Sequence, residues 1–145
     1  MTSEVRAVTE QELGDYIGCL RTAFLGEREV TAEEVAYKAA HTDLSRTFCA
    51  FSDGILCGTS RTFPTDLTIP GGELKASAVT EVTVLPTHHR QGHLRAMMHR
   101  MLDDASRRGE PVAILTASEW QIYSRFGFGP ASERISCLLY TSRCV

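Results

Sequence analysis

From Arg46 to Pro86 the chain carries three β-rich runs parted by only two turn signals, Asp53-Gly54 and Pro70-Gly71-Gly72. Turns that short join neighbouring antiparallel strands, so this stretch predicts two hairpins and three antiparallel strands. On either side the hydrophobic period changes. Thr9 and Glu12 are spaced as a capping box ahead of Leu13, Tyr16, Ile17, Leu20 and Phe24, which share one helical face that ends at Gly26. Thr31 and Glu34 repeat the box before an alanine-rich second helix. Further on, Leu94, Met97, Met98, Met101, Leu102 and Ala105 recur at helical spacing, while Arg95, His99, Arg100, Asp103 and Arg107 take the opposite face. "PVAILTAS" reads as a fully buried strand, and strand, helix, strand in that order predicts a right-handed parallel crossover beside the hairpins. "EWQIYSRFGFG" predicts a short helix closed by Gly127, and "ASERIS" the start of one more strand.

At 145 residues, 43% of them hydrophobic, the chain suits a single domain with a core of its own. No apolar run approaches the roughly 20 residues of a membrane helix, and "MTSEVRAVTEQE" lacks a basic-then-apolar leader pattern. The expectation is a cytoplasmic protein without a membrane partner. A net charge of -3 argues against a nucleic-acid partner, because phosphate backbones demand a positive surface field. Cys19, Cys49, Cys57, Cys137 and Cys144 show neither C-x-x-C pairing nor zinc spacing and read as reduced, mostly buried thiols.

Positive charge is concentrated in "THHRQGHLRAMMHRML", Thr87 to Leu102, where four histidines and three arginines surround one glycine ahead of the third helix. A metal reading rests on His89 and His93, but they flank a turn, no H-E-x-x-H is present, and no Asp or Cys completes a tetrahedral set; no metal is expected. A groove-reading helix through Arg95, His99 and Arg100 is opposed by Asp103 and Asp104 on the same segment. A phosphate reading fits better. The strand "TEVTVLP" runs through a glycine turn into a helix, whose first N–H groups and positive dipole end form an anion site, with Arg90 and Arg95 at the rim. Gly92 lets the backbone approach a diphosphate closely.

"VTVLPTHHRQGHLRAMM" followed by "ILTASEWQIYSRFGFGPA" resembles the GNAT superfamily of acetyl-CoA-dependent N-acetyltransferases, most closely its Eis branch. The resemblance is densest over residues 79–131 and compatible with 4–136. It implies an α/β fold, a mixed central sheet with helices on both faces, truncated here before its last strand. It implies acetyl-CoA as cosubstrate and transfer of acetyl to a primary amine, aminoglycoside-like, polyamine-like or lysine. By the same resemblance Val82, Thr83 and Val84 form the splayed strand beside the pantetheine arm, and the Val84 N–H polarises the thioester carbonyl. Arg90, Gln91, Gly92, His93, Leu94 and Arg95 become the pyrophosphate loop, Ser118 and Glu119 the edge of the cofactor slot, and Tyr123 the general acid. Histidine at position 89 and leucine at 94 depart from the superfamily's usual Q/R-x-x-G-x-G/A. Relatives assemble as hexamers, so a full-length parent is expected to be a homo-oligomer. The alternative is a non-catalytic acyl-CoA-binding module or an inactive fragment. For the base that frees the amine, Glu81 and Glu119 are the local carboxylates to nominate, each as easily an ordinary polar residue at a strand edge and a helix start.

The last nine residues, "CLLYTSRCV", resemble a translated sequencing adapter. From Leu139 one fitting coding, TTA TAC ACA TCT AGA TGT GTA TAA, is its own reverse complement. The expectation is a GNAT domain over residues 1–136 and a non-native tail over 137–145.

Overall fold

The computed structural model describes residues 3–26 and 29–133. Among these residues five strands form one sheet: β1 (Ser3–Ala7), β2 (Thr47–Ser52), β3 (Ile55–Ile69), β4 (Gly72–Val84) and β5 (Val112–Leu115), in spatial order β1-β2-β3-β4-β5. β1 to β4 pair antiparallel, and β5 lies parallel to β4 after the crossover helix α3 (His93–Arg107). α1 (Leu13–Ala23) and α2 (Ala32–His41) precede β2. Both capping boxes form, the second with Thr31 accepting from the Glu34 N–H.

Side chains alternate across the sheet, and β2 shows the consequence. Phe48 packs with Val79, Met98 and Met101 on the α3 face. Cys49 and Phe51 pack with Leu13, Tyr16 and Ile17 on the α1 face. Helices therefore cover both faces of a mixed sheet, as the sequence implies. Among the described residues no helix is long and apolar enough to cross a membrane. Cys19, Cys49 and Cys57 are free and buried; Cys137, Cys144 and the whole of 137–145 lie outside the described residues.

Four details differ from the sequence reading. β1 went unrecognised because five residues with exposed or half-buried side chains carry no apolar run. Phe24, assigned to the buried face of α1, is 64% exposed, because the helix ends at Ala23 and the chain turns away. β5 is half-buried along its length, since among the described residues it pairs on one side only. "EWQIYSRFGFG" forms two single 3-10 turns, Trp120–Ile122 and Ser124–Phe126, with Gly127 left-handed after them at φ 88°. The strand expected at "ASERIS" falls mostly on residues outside the description, and 131–133 carry none.

Candidate active site

The register of β4 opens a cleft. Thr59 of β3 faces Thr83 and Arg61 faces Thr80, so Ser60 alone opposes both Glu81 and Val82. That extra residue is a β-bulge, and Glu81 takes the left-handed conformation there at φ 55°. β5 pairs with β4 only from Ala76 to Val79. Beyond the bulge β4 has no strand neighbour on that side among the described residues, and a cleft of about 730 Å³ lies between the diverging strands.

Val82, Thr83 and Val84 line one wall of the cleft, with Ser118, Glu119 and Tyr123 on the other. Gly58 is opposite Val84, and the next residue, Leu85, donates its N–H to the Cys57 carbonyl at 2.8 Å. Val84 is therefore in a non-hydrogen-bonded pair, with its N–H and carbonyl turned away from β3 toward the cleft side. His89 Nε2 reaches that carbonyl at 2.9 Å. The Thr83 side chain is buried on the opposite face, 2.7 Å from the Thr59 hydroxyl.

The turn into α3 sits at the His89 end of the cleft. Arg90 (φ 62°) and Gly92 (φ 88°) are both left-handed, and Gly92 is the N-cap. A Cβ on Gly92 would meet nothing within 4 Å, so glycine is needed for its backbone angle and the turn faces open space. The first backbone bond of the helix runs from the Ala96 N–H to the Gly92 carbonyl at 3.0 Å. The N–H groups of His93, Leu94 and Arg95 precede it and are the ordinary orphan donors of a helix start. Arg90 and Arg95 are exposed beside them.

Two side chains of this loop serve the core instead. His93 is 2% exposed, with Nδ1 3.3 Å from the Ser3 hydroxyl, and burial together with nearby His88 pushes its pKa down, so the ring is neutral. Leu94 packs on the cluster of Phe48 and Met98. What they leave at the open turn is their backbone N–H groups. Among the described residues no three His, Cys, Asp or Glu side chains gather as a metal site.

Tyr123 is half-buried, edge-on to Phe128 with centroids 6.0 Å apart. Burial, and secondarily the charge of Glu119, raises its pKa, so the phenol stays protonated. Glu119 is exposed at the cleft edge.

Sequence reading did not foresee what surrounds Glu81. Lys38 Nζ of α2 is 2.7 and 2.9 Å from its two oxygens, Arg61 of β3 donates at 3.1 and 3.2 Å, and the Tyr16 hydroxyl of α1 also donates to it. Burial alone would raise the Glu81 pKa; the donors from Lys38, Tyr16 and Arg61 outweigh it and hold the carboxyl ionised below the ordinary range. A carboxylate so occupied is a poor proton acceptor. No local signal could have shown this, because the partners lie 20 to 65 positions away.

A family model described as Acetyltransferase (GNAT) domain matches residues 4–131. An uncharacterized N-acetyltransferase of Streptomyces griseus is 44% identical over 133 residues, covering 91% of this chain and 32% of the relative. N-acetyltransferase Eis of Mycobacterium tuberculosis is 50% identical over 70 residues, 46% of this chain and 17% of Eis. Among solved structures, Eis1 from Mycobacterium abscessus superposes with a TM-score of 0.76 at 36% identity, over 88% of this chain and 31% of that one. A predicted acetyltransferase from Clostridium acetobutylicum, solved with acetyl-CoA, shares the fold at 16% identity with a TM-score of 0.73, over 94% of this chain and 96% of that one. The chain thus spans about a third of the length of the Streptomyces griseus relative and of Eis1.

Proposed function

The chain belongs to the GNAT family of acetyl-CoA-dependent N-acetyltransferases, and from that membership we propose that its cleft binds acetyl-CoA and delivers the acetyl group to a primary amine. The observation that carries this reading is the path from the edge of β4 at Val84, unpaired among the described residues, to the open first turn of α3 behind Gly92. The residues fit the cosubstrate at both ends. Backbone donors and Arg90 and Arg95 suit a diphosphate, and a bare strand edge suits an amide-bearing arm.

Acetyl-CoA supplies a thioester whose carbonyl an amine attacks and whose sulfur departs as a thiolate. In this reading the Val84 N–H, free of β3, is the donor that stabilises charge on the carbonyl oxygen. Tyr123, on the facing wall and protonated, gives its proton to the sulfur, and the proton that the amine sheds as its bond to the acetyl carbon forms passes through solvent to restore the phenol. Val82 and Thr83 shape the wall, Ser118 and Glu119 border the slot opposite, and the N–H groups of Gly92, His93 and Leu94, with Gln91 in the turn, surround the phosphate position. Aminoglycoside-like, polyamine-like and lysine amines are the acceptor classes this reading admits.

Titration of the full chain with acetyl-CoA by calorimetry, followed by a product assay on amines of those three classes, tests it. Saturable binding and an acetylated amine are expected. Binding without product from any amine would favour a module that only holds acyl-CoA, and no binding at all would end the reading.

A further inference from the structure

We propose that Glu81 is a positioning residue: its carboxylate, fastened to Tyr16, Lys38 and Arg61, holds the kink that turns the Val82–Val84 edge toward the cosubstrate. The inference rests on the reading of that edge as the acetyl-CoA wall.

Three observations support it. Glu81 is a non-glycine residue held at φ 55°, a conformation that is sterically unfavourable for an L residue. Local backbone preference therefore opposes the bulge, and something outside the strand stabilises it. The side chain supplies that hold, with four contacts of 2.7 to 3.2 Å from Lys38 and Arg61 and a further bond from the buried Tyr16 hydroxyl. Moreover, its own carbonyl accepts from the Thr59 hydroxyl at 2.8 Å, and the same hydroxyl lies against Thr83. Residue 81 is tied at both ends, to the helices through its side chain and to β3 through its carbonyl.

The geometry distinguishes this role from proton transfer. Lys38 sits on α2 and Tyr16 on α1, so the network joins the helical face to the strand where β5 stops pairing. If the carboxylate acted as a base it would need a free lone pair facing the acceptor; its two oxygens instead receive three donor groups from within the fold.

Lys38→Met removes one anchor 43 positions from Glu81 without altering the chain around the bulge. Glu81→Gly removes every side-chain anchor, keeps the carbonyl bonded to Thr59, and makes the φ angle free of strain. Amide resonances of Val82 and Val84, recorded without ligand, are expected to move in Lys38→Met while those of Ala76 to Ala78 stay, and Lys38→Arg is expected to restore them. Acetyl-CoA binding, measured below the melting temperature of each variant, is expected to weaken about threefold in Lys38→Met and about tenfold in Glu81→Gly. Parent-like resonances in Lys38→Met would overturn the proposal, as would parent-like affinity in Glu81→Gly. Should the parent bind no acetyl-CoA, the proposed function fails, yet the resonances still decide whether the network sets the edge. Should Glu81→Gly not fold, Tyr16→Phe carries the affinity comparison with the same expectation as Lys38→Met.

Discussion

β4 is one strand with two unlike halves. From Ala76 to Val79 it is sandwiched between β3 and β5, its hydrogen-bonding groups are taken, and its side chains are buried or nearly so. From Glu81 to Val84 it keeps β3 but loses β5, and its free edge borders the cleft. Each half depends on a carboxylate. Glu110, just ahead of β5, is buried against Arg46, just ahead of β2, with paired contacts of 2.5 and 3.1 Å that fasten the closed half. Glu81 sits in the open half at a strained angle with three partners. The same chemistry closes the sheet in one place and keeps it apart in the other. The difference lies in the backbone angle at the carboxylate and the elements it reaches.

The largest effect is expected in the closed half. Arg46→Ala leaves Glu110 charged and buried without its guanidinium partner, and is expected to cost about 3–5 kcal/mol by urea unfolding. A loss below about 1 kcal/mol would mean that the pair does not secure β5. In the open half, Gly92→Glu forces a left-handed angle on a side chain and sets a carboxylate beside the expected diphosphate. Acetyl-CoA binding by calorimetry is expected to fall about a thousandfold, as close like charges cost several kcal/mol. Undiminished binding would move the phosphates elsewhere. Tyr123→Phe is expected to lower kcat about a hundredfold with the Kd for acetyl-CoA within about twofold, because a proton donor acts in the transition state alone. An unchanged kcat would leave the tyrosine a packing residue.

The smallest effect lies outside both halves and serves as their control. Arg6 of β1 donates to Glu12 at 2.7 and 2.9 Å, and this bond, aided against burial by the Thr9 N–H, holds the Glu12 pKa at about 2 instead of 4.5. A depressed carboxyl stabilises the fold above its ordinary pKa and loses that contribution as pH falls from 4.5 toward 2. Glu12→Gln is expected to flatten the acid limb of a melting-temperature profile in that window and to leave acetyl-CoA affinity at neutral pH unaltered. An acid limb identical to the parent's would assign it to other carboxylates.

Legibility followed locality. The capping boxes at Thr9 and Thr31, the hairpin turns and the methionine face of α3 are written within a few residues of one another, and all were found where the spacing put them. The glycine turn into α3 was equally readable, since one residue must accept φ 88°. β1 was missed because its strand character comes from pairing with β2, and Phe24 was misplaced because periodicity cannot tell where a helix stops covering the sheet. His93 and Leu94 read as part of the pyrophosphate loop, and a loop motif does not reveal which of its side chains the core claims.

The sequence by itself determined the elements, their order and the anion-ready turn, because propensity, capping and turn chemistry act over one to four residues. Only the tertiary structure decided that β4 would part from β5 at Glu81. That outcome depends on Tyr16, Lys38 and Arg61 converging on one carboxylate from two helices and a strand. Contacts between residues so far apart in the chain exist only once the core has brought their elements together.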